Sequence, residues 1–135
     1  MTAPQQSPQL WLLPDLRVEV PPPPGTDTDE RWSNVPDFDG YQCSTLGRFR
    51  NSRTGQILRG TVAHNGYVHI GLVRGGEQVW RLAHRLIAAA FLERPQTDRE
   101  LVVNHINIDR TDNRTCNLEW VTRRENAKHW LRLRG

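Results

Sequence analysis

The chain has 135 residues, with 18 basic and 15 acidic side chains and a formal net charge of +3. That length allows one small domain with a single modest core plus a tail. No apolar run of about 18 residues occurs, so no transmembrane helix is expected. The N-terminus lacks a basic region followed by an apolar stretch, which makes a cytosolic setting the expectation. The two cysteines, Cys43 and Cys116, are far apart and in such a setting are expected as reduced thiols. Paired Cys or Cys/His spacings are missing, so no structural zinc is expected and any metal should be a hard, oxygen-bound ion.

The net charge conceals a division. Residues 1–30 hold Arg17 against Asp15, Glu19, Asp27, Asp29 and Glu30, a net of −4, while the remainder carries 17 basic and 10 acidic side chains, a net of +7. Of the 18 cations, 17 are arginine and only Lys128 is lysine. Guanidinium forks suit bidentate phosphate contacts, so the basic part reads as a nucleic-acid binder.

The amino-terminal LWLLPDLRVEV, the PPPPG run and TDTDE cannot form one long regular element, because the prolines remove amide donors and favour polyproline II. Residues 1–30 are expected to form an extended, weakly ordered acidic tail. Its apolar cluster Leu10 to Leu13 is a sticky spot for the core or for a protein partner. From Arg31 short strands alternate with turn signals. In GYQCSTLGRFRN a Gly47 turn precedes Arg48-Phe49-Arg50, where alternation puts both arginines on one face and the ring on the other. Asn65-Gly66 between QILRGTVAH and YVHIGLV predicts a hairpin, and Gly75-Gly76 predicts the turn into QVWRL. Together these form a small antiparallel meander, with Trp80 expected in the core.

The period then changes. HRLIAAAFLER predicts a helix that runs to just before Pro95, with Leu86, Ile87, Ala90 and Phe91 toward the sheet. His84, at its start, is expected to be a structural hydrogen-bonding histidine. LVVNHI predicts a strand, NIDRTDNRTC a polar loop and NLEWV a returning strand. Thr122 with Glu125 is a capping-box signature, so a helix is expected from Arg123, held by Ala127, Trp130 and Leu131, with Asn126 about one turn inside it. Histidine titrates near neutral pH and can serve as a general base, while oxygen side chains can hold Mg²⁺ or Mn²⁺ beside a phosphate. The stretch from Val102 to Asn126 therefore points to phosphodiester hydrolysis. Asp109 and Asp112 are expected in turn roles, and Asn113 and Asn117 in indirect ones.

GYQCSTLGRFRN, HRLIAAAF and VNHINIDRTDNRTCNLEWVTRREN, in that order, resemble the HNH homing-type endonucleases of phages with their NUMOD4-like amino-terminal segment. The resemblance runs from about Glu30 to Trp130. It implies an α+β fold, a small antiparallel β-meander followed by a helix and a ββα-metal (HNH) nuclease unit. The implied organisation is a tail over 1–30, a NUMOD4-like, DNA-contacting meander over 31–83, and the helix with the HNH unit over 84–135. It further implies a nuclease acting in a bacterial host cell, with His105 as general base, Asn104 and Asn126 as ligands of one Mg²⁺ or Mn²⁺ ion, and Asn117 holding the loop and the histidine. The partner is then double-stranded DNA, nicked one strand per event by a monomer or homodimer. Arg48, Arg50, Arg53 and Arg59 on the meander, and Arg110, Arg114, Arg123 and Arg124 around the motif, are the expected DNA contacts. The chain departs from the family pattern at Asn104, where aspartate is common, at Asn107-Ile108-Asp109, where Asp-Gly-Asn is common, and at Asn126, where many relatives have histidine. Two neutral ligands keep a second reading open, a DNA-binding module that does not cut. A third is an interaction protein acting through its tail.

Overall fold

Strand alternation decides the first half of the chain. The structure, a computed structural model, describes Leu12–Leu13, Val18–Glu19 and residues 29–134. Strands β1 (Leu12–Leu13) and β2 (Val18–Glu19) pair antiparallel. Apart from Asp29 and Glu30, the rest of the expected 1–30 tail lies outside the described residues. Strands β3 (Trp32–Asn34), β4 (Tyr41–Ser44), β5 (Phe49–Asn51) and β6 (Ile57–Leu58) form an antiparallel sheet in chain order. Phe49 is buried, whereas Arg48 and Arg50 both lie over the Trp32 ring on the other face, at 5.4 and 4.0 Å from its centroid.

The meander is broken in two rather than continuous. Strands β7 (Thr61–Val62), β8 (Val68–Arg74) and β9 (Glu77–Leu82) form a second antiparallel sheet. Arg59 and Gly60 separate it from the first. The tight two-residue turn is at Gly75-Gly76, both at positive φ, with Arg74 opposite Glu77. The Asn65-Gly66 hairpin is looser: Gly66 N–H bonds to the Ala63 carbonyl and Ala63 N–H to the Tyr67 carbonyl, a turn followed by a left-handed glycine. Trp80 departs from expectation. It is 51% exposed, because alternation in β9 turns Val79 to the core and leaves the indole on the opposite face over Gly71.

Helix α1 (Ala83–Phe91) packs on strands of both sheets and on the last hairpin. Ala83, Ile87 and Ala88 are its buried apolar residues, and they meet Phe38, Cys43, Phe49, Ile70, Leu72, Val103 and Leu118 in one core. Each large apolar side chain withdrawn from water there is worth about 1.5–3 kcal/mol. The helix ends at Phe91, three residues before the expected stop. Leu92 is extended, and its carbonyl accepts the Trp120 indole N–H at 3.3 Å, so packing ends the helix before the proline does. Cys43 is a buried free thiol, and Cys116 lies exposed. The remaining elements are β10 (Leu101–His105), a 3-10 turn (Thr115–Asn117), β11 (Leu118–Thr122) and α2 (Arg123–Arg134). No helix among the described residues is long and apolar enough to cross a membrane.

The first sheet also touches the loop between β10 and β11. The Thr45 carbonyl accepts the Thr115 N–H at 2.9 Å, and a Cβ placed on Gly47 would lie 3.0 Å from the Asn113 carbonyl carbon. Gly47 has φ +87°, a left-handed conformation that suits glycine. Gly47→Ala is therefore expected to destabilise the protein by at least about 1–2 kcal/mol, since it combines backbone strain with that close contact. Thermal unfolding checks this, and an unchanged Tm would contradict the packing of turn on loop.

Candidate active site

An apolar strand that ends in two polar residues must satisfy them inside the protein. In β10, Asn104 and His105 are each only 1% exposed. β10 pairs with β11 so that Asn104 lies opposite Glu119 and His105 opposite Leu118. The Asn104 amide donates through Nδ2 to Glu119 Oε2 at 2.7 Å and accepts through Oδ1 from Trp130 Nε1 at 3.1 Å. His105 Nε2 is 2.7 Å from Asn113 Oδ1. An amide oxygen can only accept, so this contact puts the proton on Nε2 and the ring lone pair on Nδ1. The His105 ring also lies 4.9 Å from the His84 ring and 5.9 Å from Tyr67, and Tyr67 stacks on His84 at 5.1 Å. Burial lowers the His105 pKa, with the Asn113 bond and the nearby Asp112 and Asp109 opposing. The ring is thus held neutral in the state a base requires.

The loop after His105 folds around Asn117, which has no exposed surface. Its Oδ1 accepts the Asn107 N–H at 2.9 Å, and its Nδ2 donates to Asn107 Oδ1 at 2.9 Å and to the Asp112 carbonyl at 2.8 Å. A second brace comes from Asp112 and Arg114, whose side chains are 7% and 8% exposed and joined by two hydrogen bonds of 2.8 and 2.7 Å. Burial pushes the Asp112 carboxyl up, but Arg114 and Asn107 outweigh it and hold the pKa low. Asp109 Oδ1 accepts from the Thr111 N–H and hydroxyl, a turn role. Ile108 has φ +60°, in the left-handed region that favours glycine. A β-branched residue there stores backbone strain of about 1–2 kcal/mol.

Helix α2 begins at Arg123 through the expected reciprocal cap: Thr122 N–H to Glu125 Oε1 at 2.8 Å and Glu125 N–H to Thr122 Oγ1 at 3.2 Å. The side of the helix turned to the hairpin is not the expected apolar stripe. Leu131 is 74% exposed and Ala127 is exposed, while His129 is buried and Trp130 half-buried. His129 Nε2 donates to the Ile106 carbonyl at 2.6 Å. The cap fixes the helix phase, which turns residues 126, 129 and 130, at i, i+3 and i+4, toward β10. Asn126 shares that side, and its Oδ1 is buried with no hydrogen-bond partner.

These donors can be tested against a hard divalent ion. Among the described residues no three His, Cys, Asp or Glu side chains converge as a metal group. The oxygens available are amides. Asn104 Oδ1 is fixed by its neighbours with a lone pair in reserve, and Asn126 Oδ1 is a buried acceptor without a donor. A buried amide oxygen lacking a proton donor is suited to an oxygen-preferring cation, so the residues fit one.

The arginines divide by environment. Arg53, Arg59 and Arg124 are exposed. Arg48 is bound to Glu30 with Nε 2.8 Å from Oε2, and Arg123 to Glu100 at 2.7 Å. Arg50 donates to Gln42 at 2.9 Å. Arg110 lies between the Tyr67 and Trp130 rings, 4.9 and 4.6 Å from their centroids, and donates to the Asn65 carbonyl at 2.8 Å. Arg114 corrects an expectation. It is 6% exposed and bound to Asp112, so it is a loop brace rather than a surface contact for DNA. Sequence reading missed Glu119 and His129 and the contact of Asn113 with the histidine. Only His129 carried a signal, its i+3 spacing from Asn126.

His84 is buried, and its Nδ1 finds no hydrogen-bond partner, so it serves through ring packing rather than the expected hydrogen bond. Burial, then His105, Arg85 and His69, push its pKa down to about 3. In the unfolded chain the value returns to about 6.5, so the unfolded state binds the proton first as pH falls. Stability is fully present above about pH 6.5 and is lost as pH drops toward 3. For this one residue the slope is about 1.4 kcal/mol per pH unit. Tm is expected to be lower at pH 5 than at pH 7.5, and a flat Tm across that range would contradict the burial of a neutral His84.

Residues 81–128 match the HNH endonuclease family model and residues 30–73 the NUMOD4 motif. The chain is 32% identical over 101 residues to the DNA endonuclease I-HmuI of Bacillus phage SP01, covering 74% of this chain and 57% of that protein. It is 37% identical over 103 residues to an uncharacterised HNH endonuclease of Acanthamoeba polyphaga mimivirus, covering 74% of this chain and 26% of that one. A solved structure of the HNH homing endonuclease I-HmuI, described as binding and cleaving DNA, superposes with a TM-score of 0.67 and 29% identity over 76% of this chain and 58% of that one. The chain thus spans between 26% and 57% of the length of the curated relatives it matches. Residues 30–73 and 81–128 thus match the NUMOD4 and HNH endonuclease motifs in that order, and the chain shares the mixed α and antiparallel β fold of that neighbour.

Proposed function

We propose that the chain is a metal-dependent DNA endonuclease that cuts one strand per binding event, with His105 as general base. The observation that carries this reading is the His105 ring, buried, neutral and held at Nε2 by Asn113 Oδ1, which leaves Nδ1 as the proton acceptor. A water attacking phosphorus gives its proton to Nδ1 while the bond from phosphorus to the leaving oxygen breaks. Asn104 and Asn126 would hold a single Mg²⁺ or Mn²⁺ ion through their amide oxygens. When bound, that ion supplies charge stabilisation at the phosphate and the leaving oxygen. Asn117 acts through the loop, keeping Asn107 and Asp112 where Asn113 can reach the ring.

DNA contact is proposed for Arg110, beside the cleft formed by Gly66, Ile108 and Trp130, and for the exposed Arg53, Arg59 and Arg124. Arg48, Arg50 and Arg123 join them by exchanging carboxylate or amide partners for phosphate. The 31–83 sheets would then carry most phosphate contacts and the 84–135 segment the chemistry. A single base and a single ion act on one phosphodiester, so a double-strand break requires a second protomer or a second encounter.

Supercoiled plasmid incubated with the full chain and Mg²⁺ or Mn²⁺ is expected to become nicked circles, and EDTA to abolish this. His105→Ala is expected to slow nicking by about 10²–10⁴-fold in protein that thermal unfolding shows to be folded. Nicking at the parent rate in His105→Ala would contradict the assigned base, and DNA binding with no cutting by the parent would favour the non-cleaving module.

A further inference from the structure

We infer that Glu119 supplies the negative charge that the neutral Asn104 lacks, acting as a positioning residue that orients and polarises the Asn104 amide toward a bound cation. The inference rests on the proposed reading of Asn104 as a ligand. Two bonds fix that amide. The Trp130 indole can only donate and faces Oδ1 at 3.1 Å, while a carboxylate can only accept and faces Nδ2 at 2.7 Å. The oxygen is therefore aimed by chemistry on both sides, and the amide cannot flip without breaking both bonds. The bond to Glu119 is charge-assisted and draws electron density onto Oδ1, so the amide becomes a better donor for a hard ion.

The other acidic groups near the motif are engaged elsewhere. Asp109 Oδ1 holds Thr111, both oxygens of Asp112 hold Arg114 with Asn107, and Glu125 caps α2. Glu119 differs. It is half-buried in a chain with 17 arginines, yet among the described residues it forms no ion pair. Its hydrogen bond is to Asn104, directly across the β10/β11 register. A half-buried carboxylate that bonds an amide rather than one of many guanidinium groups leaves its charge uncompensated beside the ligand. The negative charge that position 104 lacks is thus found one strand across, on Glu119.

Glu119→Gln tests this, because glutamine keeps an acceptor for Asn104 Nδ2 and removes only the charge. Mn²⁺ is titrated into the full chain with a short DNA duplex, and free Mn²⁺ is followed by its electron paramagnetic resonance signal against duplex alone. Glu119→Gln is expected to bind Mn²⁺ about 10–100-fold more weakly. The double variant Asn104→Asp/Glu119→Gln returns the charge to position 104 and is expected to recover most of that roughly 10–100-fold loss. Tm is measured for each, and if Glu119→Gln does not fold, the double variant against the parent decides. Unchanged affinity in Glu119→Gln, or a folded double variant that stays as weak as the single one, would overturn the inference. A parent chain that binds no Mn²⁺ at all would overturn the ligand reading itself, and this inference with it.

Discussion

The site depends on one buried amide. Asn117 ends the 3-10 turn just before β11 with every donor of its side chain engaged and its oxygen bonded to the Asn107 N–H, so it ties the loop after His105 to the hairpin. A polar loop of this length would otherwise retain its conformational freedom, at about 1–2 kcal/mol per residue to order. Bound to Asn117, the loop brings Asn113 to the His105 ring and Asp112 to Arg114. Replacing Asn117 by an apolar residue would leave the Asn107 N–H and the Asp112 carbonyl without their partner, which is why a small polar side chain is kept in a fully buried place.

The two amino-terminal sheets complete that constraint from outside. The Thr45 and Asn65 carbonyls accept from Thr115 and Arg110, and the left-handed glycines at 47 and 66 let the backbone approach Asn113 and Arg110 closely. Helix α1 places its apolar face in the same core as both sheets and the hairpin. The NUMOD4 region thus shapes the HNH loop.

Local patterns in the chain reported local structure well. The alternation at Arg48-Phe49-Arg50, the Thr122/Glu125 cap and the strand end at His105 all follow from neighbours close in sequence. Features set by pairing across distance were not legible. That Glu119 faces Asn104 depends on the register of β10 with β11, which an apolar pattern does not specify. The turned side of α2 follows from the phase fixed by its cap, so Ala127 and Leu131 lost the place that their hydrophobicity suggested and His129 gained it. Arg114 and Trp80 exchanged expected environments for the same reason: burial is decided by the fold around a residue, not by its type. The resemblance supplied the roles of Asn104, His105, Asn117 and Asn126, but their hydrogen-bond partners came from geometry alone.

The proposed chemistry depends on where the His105 ring carries its proton. If Asn113 Oδ1 faces Nε2, the neutral His105 ring must carry its hydrogen there and present Nδ1 to the reacting water. Long-range ¹H–¹⁵N correlation spectra of the histidine rings in the full chain near pH 7.5 report each tautomer directly. His105 is expected to show a protonated Nε2 and an unprotonated Nδ1. A His105 ring protonated at Nδ1, or averaging between both tautomers as in a solvated histidine, would contradict the proposed base and the loop that positions it.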